Sequence, residues 1–168
     1  SEIEETINST EKLSSNISEW SSLTLIALLE FICHIITEPS FDQLRTKEQL
    51  GYIVHTSIST IGYKAALRVM VQSNSRDPLY LNDRIESFLS EFYDTLQKFT
   101  DEEFENNRQA VIKNLLEKPK NINEETRRYW TEITSGTYLF TRRLVLAKII
   151  NRVTLDDLIL FYQTFLLS

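Results

Sequence analysis

The stretch LRTKEQLGYIVH, Leu44 to His55, decides how the fold is read, because its character changes halfway along. LRTKEQ is charged and suits a helix end or a turn. LGYIVH is apolar, carries β-branched and aromatic residues, and suits a strand. Arg45 and Tyr52 stand on either side of the change. A fixed cation and a phenol placed across a helix-to-strand corner need a reason, and the neighbouring sequence supplies the frame for one.

Upstream lies LTLIALLEFICHII, Leu23 to Ile36, with Glu30 inside it. This run falls short of the about 20 apolar residues that a membrane-spanning helix needs, so no membrane role is expected. It reads as a helix buried on most sides, running from Ser22 to about Thr37 and stopped by Pro39. Residues 1–20 are polar and rich in Ser and Glu, and read as a poorly ordered lead-in to a single domain over 21–168.

Downstream, residues 50–58 form a strand and residues 65–73 a second one. In the latter, Leu67, Val69 and Val71 face one way and Arg68, Met70 and Gln72 the other. STIGYK between them reads as a hairpin connection. Two strands make a marginal sheet alone, so neighbouring strands are expected from outside this sequence.

After Pro78 the pattern is helical. Ile85, Phe88, Leu89, Phe92, Leu96 and Phe99 form one apolar stripe. Thr100 and Glu103 have capping-box spacing. Asn123 is placed as the cap of a following helix that ends near Gly136, with Trp130 assigned to the core. Further helices are read from Thr141 to Asn151 and from Thr154 onward. The fold class is therefore α+β and helix-rich: an antiparallel hairpin or small sheet packed by several helices. Three Gly and three Pro in 168 residues agree with long elements and few tight turns.

The formal net charge is -6, and Arg127-Arg128 and Arg142-Arg143 are only pairs. Nucleic-acid binding, which needs clustered Lys and Arg, is disfavoured. Cys33 is the one cysteine. It excludes an internal disulfide, reads as a small buried hydrophobe, and suggests a cytoplasmic location. The two histidines, His34 and His55, offer no metal motif: His34 with Glu38 matches neither H-E-x-x-H nor H-x-x-E-H. No zinc site is expected on this chain. Cys33 and His34 are adjacent on a helix and point different ways, so they make no nucleophile–base pair.

Arg45 and Tyr52 remain. A guanidinium offers five donors in a planar fork, and a phenol one hydroxyl on a rigid ring. Together they suit a peptide carbonyl, or the oxyanion formed when that carbonyl is attacked. Spacing alone favours the plainer reading, a surface Arg beside a half-buried Tyr.

EPSFDQLRTKEQLGYIV resembles the signature of the insulin-degrading enzyme (insulysin) branch of the pitrilysin-type zinc peptidases, in their fourth, C-terminal domain. The resemblance continues through LRVMVQS, PLYLNDRIESFL, LLEKPKNINEETRRYWTEI with the following TYLF, and TLDDLILFYQTFL, so that roughly residues 25–166 fit in order. It implies a zinc metalloendopeptidase in which an N-terminal half binds the zinc and the C-terminal half, represented here, binds none. By motif position, it implies that Arg45 hydrogen-bonds a substrate carbonyl and Tyr52 stabilises the oxyanion. The implied partners are the N-terminal catalytic half of the same polypeptide and peptide substrates, and this fragment alone is expected to be inactive. The alternative is a non-catalytic structural or interaction domain of an insulinase-type protein.

Overall fold

The computed structural model describes residues 13, 17–61 and 64–167. After a short turn at Ile17–Glu19, whose following Trp20 is buried, the chain enters α1, Ser22–Ser40. Ser21 caps it by accepting the amide of Thr24 at 3.2 Å. Leu28, Phe31, Ile32 and Ile36 are fully buried, and α1 is the element on which most of the others pack.

Pro39 does not stop the helix. α1 passes through it and continues as a wider π-helical turn, Phe41–Lys47. Proline removes only its own N–H, and the next groups find partners: Phe41 N–H bonds to the carbonyls of Thr37 and Glu38, and the Ser40 hydroxyl donates to Thr37 O at 2.9 Å. Burial of Ser40 and Leu44 outweighs the local preference for stopping. The continuous run Ser22–Lys47 is thereby long and apolar enough to cross a membrane by length and composition. Within this domain much of its apolar surface packs into the core, while Phe41 is exposed.

β1, Ile53–Ile61, and β2, Lys64–Gln72, pair antiparallel, with His55 opposite Met70 and Ile61 opposite Lys64. The strands therefore reach further toward one another than STIGYK implies, and residues 62 and 63 between them lie outside the described residues. Leu67, Val69 and Val71 are half-buried against the helices, while Arg68, Met70 and Gln72 are exposed, as the alternation predicts. Buried Val54 and Thr56 face the same side as the half-buried set. The Thr56 hydroxyl meets that of Ser40 at 2.7 Å, and because Ser40 donates to Thr37, Thr56 is the donor of this pair.

The rest is helical: α2, Pro78–Leu96; α3, Asp101–Leu116; α4, Ile122–Thr134; α5, Arg142–Ile150; and α6, Leu155–Phe165. Phe88, Phe92 and Leu96 bury the inner stripe of α2. Tyr162 of α6 donates its hydroxyl to Leu89 O at 2.8 Å, which satisfies a buried phenol and joins α6 to α2. Capping boxes at Thr100–Glu103 and Thr154–Asp157 open α3 and α6.

Two expectations for α4 fail. Its cap is Asn121, not Asn123: the Asn121 side chain accepts from Glu124 N at 3.0 Å. Trp130 is not core but 61% exposed, and Tyr129 and Ile133 are exposed beside it. The side of α4 turned to the protein instead carries Glu132, which is buried and receives Arg142 Nε at 2.6 Å and the Thr137 hydroxyl at 2.5 Å. Burial raises the Glu132 carboxyl, but the hydrogen bonds from Arg142 and Thr137 outweigh it and hold the group below its ordinary range.

Candidate functional site

The helix-to-strand corner is built from short-range geometry first. In the π-helical turn Glu48 N–H bonds to Gln43 O at 3.0 Å, and Leu50 N–H reaches back to Leu44 O at 3.0 Å. Leu44 and Leu50 point inward, fully buried, and anchor both ends of this loop in the core. Between them Gln49 takes φ 52°, a left-handed conformation that costs a non-glycine residue roughly 1–2 kcal/mol. Gly51 follows. A Cβ there would lie 2.2 Å from Gln72 O, so only glycine lets Tyr52 N–H bond to that carbonyl at 3.1 Å. The chain then enters β1.

One ion pair ties the corner to the body. Arg84 of α2 donates to Glu48 through Nε at 2.7 Å and Nη2 at 2.8 Å, a two-pronged fork, while Gln43 Nε2 donates to the same carboxylate at 2.8 Å. The hydrogen bonds from Arg84 hold the Glu48 carboxyl below its usual range, and Glu48 in turn raises Arg84. Composition and spacing gave no sign of this pair. Glu48 stands in the quoted stretch, but nothing in one sequence links it to a residue 36 positions later. Gly51, directly before an apolar strand, was the readable sign of a close backbone approach.

Arg45 lies on the π-helical turn and is half-buried; Tyr52 lies just before β1 and is 57% exposed. Neither the Arg45 guanidinium nor the Tyr52 hydroxyl has a hydrogen-bond or ion-pair partner among the described residues. They occupy the two sides of one pinned corner, with Glu48 between them in the chain. Around Tyr52 the surface includes exposed Ile53 and, on the outer face of the hairpin, His55 and Met70.

A concavity of about 230 Å³ opens between α1, α3 and α5 and is lined by Glu30, Cys33, His34, Thr37, Asn114 and Arg143, among others. Cys33 is half-buried here rather than sealed in the core. Burial raises the Glu30 carboxyl and the Cys33 thiol and lowers the His34 imidazole, so all three are pushed toward their neutral forms. Arg143 spends its donors on Leu115 O and Asn114 O, the open carbonyls at the end of α3.

Among the described residues no group of three or more His, Cys, Asp or Glu side chains is placed to hold a metal ion. His34 lines the cleft and His55 stands exposed on β1, far apart in role and element. The described residues present no ligand set that fits zinc.

Residues 31–130 match the family described as "PQQ synthase PqqF-like, C-terminal lobe domain 4". The chain is 40% identical to the A-factor-processing enzyme of Saccharomyces cerevisiae over 144 residues, covering 86% of this chain and 14% of that protein. It is 40% identical to the insulin-degrading enzyme of Mus musculus over 138 residues, 82% of this chain and 13% of that protein. The crystal structure of pitrilysin superposes with a TM-score of 0.75 at 27% identity, over 87% of this chain and 16% of that one. The chain thus spans about one seventh of the length of these curated relatives. With the family match, the identities and the shared fold in agreement, the chain belongs to the C-terminal-lobe domain-4 family of the insulinase and pitrilysin group of peptidases.

Proposed function

We propose that this domain supplies the substrate-facing corner of a zinc metalloendopeptidase whose metal is bound by another part of the polypeptide. Arg45 hydrogen-bonds a carbonyl of the bound peptide, and Tyr52 donates to the oxygen that gains charge when the scissile carbonyl is attacked. The observation that carries the reading is the pairing of a rigid frame with two unspent donors. Backbone hydrogen bonds, Gly51 and the Glu48–Arg84 fork fix the corner, while Arg45 and Tyr52 are left without partners on it. Fixed donors cost little reorganisation when charge develops, which is the condition for stabilising a transition state.

Zinc supplies the activation of water in this scheme, and it acts from the other half. Alone, the domain has no means of activating water at neutral pH and is inactive. The partners are the zinc-binding N-terminal half and extended peptides. The free thiol of Cys33 suits a reducing compartment such as the cytoplasm.

The test is reconstitution. Mixing the domain with the N-terminal half should yield peptide cleavage that a chelator abolishes, and Arg45→Ala should weaken it chiefly through substrate binding. Cleavage at an undiminished rate by the N-terminal half without this domain would refute the reading.

A second reading, a non-catalytic interaction domain, draws on the exposed Tyr129, Trp130 and Ile133 of α4. Large apolar side chains grouped on one helix commonly mark a contact surface. Absence of H-x-x-E-H from the rest of the polypeptide would favour it.

A further inference from the structure

We propose that Glu48 and Arg84 are a positioning pair, fixing the corner from which Arg45 and Tyr52 project; the inference rests on the reading of those two residues given above. Glu48 follows Arg45 by three residues and precedes Tyr52 by four, so a displacement of its backbone moves both. It ends the π-helical turn through its own N–H to Gln43 O, and its side chain receives Gln43 Nε2 as well. The turn is therefore closed on itself at Glu48 by both backbone and side chain.

Its attachment to the rest of the fold is the fork from Arg84. Among the described residues this is the side-chain hydrogen-bonded link between residues 41–52 and α2. The Lys47–Asp42 ion pair stays within the turn and is solvent-exposed, so it cannot serve this purpose. The fork matters because of what it opposes. Gln49 is held in a left-handed conformation, and Gly51, two residues on, runs so close to Gln72 that no side chain fits there. A loop under such constraint relaxes when a restraint is lost, and two parallel charge-assisted hydrogen bonds fix direction as well as distance.

The pair touches no substrate in this account. It acts through Arg45 and Tyr52, so its loss should appear in turnover well beyond the modest loss of stability that breaking the pair brings. The experiment uses the full-length peptidase carrying this domain, with Glu48→Gln and Arg84→Lys, each alone and each in a Tyr52→Phe background. Lysine keeps the charge of Arg84 but not its fork. Each single substitution should lower kcat by about 10- to 100-fold, as displacement of an aligned group does, and should raise KM through the displaced Arg45, with Tm falling only slightly. In the Tyr52→Phe background the same substitutions should lower kcat little further, while the rise in KM through Arg45 persists. Equal losses in both backgrounds, or a fall in Tm with kcat intact, would overturn the inference. Full activity of Tyr52→Phe alone would instead refute the reading of the corner. Fluorine NMR of fluorotyrosine-labelled enzyme separates the two cases, because Glu48→Gln must shift the Tyr52 signal whether or not that hydroxyl serves catalysis. An unmoved signal overturns the positioning role. Should Glu48→Gln fail to fold, Glu48→Asp, one methylene shorter, carries the same comparison.

Discussion

The corner at residues 41–52 and the outer face of α4 look alike as sequence and differ as structure. Both place an aromatic residue a few positions from arginine: Arg45 with Tyr52, and Arg127-Arg128 with Tyr129-Trp130. At the corner, Leu44 and Leu50 are buried, the backbone closes on itself, and a charged fork braces the turn. On α4 the aromatics face outward, with Tyr129 meeting Phe140 edge-on at 5.9 Å, and the inward side is held by the Glu132–Arg142 pair. A rigid setting lets an exposed donor act at a fixed place. An open aromatic face offers area instead, which suits contact with another surface.

The contrast can be broken most forcefully at the anchors of the corner. Leu44→Ala, at a fully buried position, should cost about 3 kcal/mol, read from urea unfolding. Gly51→Ala should cost about as much, by forcing a methyl into the Gln72 carbonyl. A fully stable Gly51→Ala variant would mean that the corner is softer than its geometry states.

Glu132→Ala comes next. It strands a largely buried arginine and should cost about 2–3 kcal/mol, since removing one partner of a buried pair leaves the other uncompensated. The loss would show that α4 is fixed through its polar side.

Glu48→Gln should cost about 1 kcal/mol, with a signature in pH. The folded-state pKa of Glu48 lies below its unfolded value, so its contribution is present above about pH 4.3 and fades as pH falls through the folded value. Thermal unfolding between neutral and acid pH should give a shallower slope for Glu48→Gln than for the parent. Smallest of all, Trp130→Ser should change the stability of this chain by less than about 0.5 kcal/mol. A larger loss would mean that the open face of α4 is covered.

The order of elements was legible because it rests on periodicity. The hairpin faces follow from alternation at Leu67, Val69 and Val71, and α3 from the Thr100–Glu103 box. What could not be read depends on partners distant in sequence. Pro39 is a local stop signal that burial of Ser40 and Leu44 overrides. Trp130 looks like core because tryptophan usually is, yet the side of α4 that faces inward is chosen by Arg142. Arg45 and Tyr52 stand as candidates through their resemblance to a family signature, whereas the Glu48–Arg84 fork joins α2 to the turn and leaves no periodic trace.

The most direct measurement of the central claim is kcat for Tyr52→Phe in the full-length peptidase, a change that removes one hydroxyl and leaves the ring. The account predicts a loss of about 10²–10³, the effect of removing a donor aimed at developing charge, with KM little altered. An unchanged kcat would contradict it.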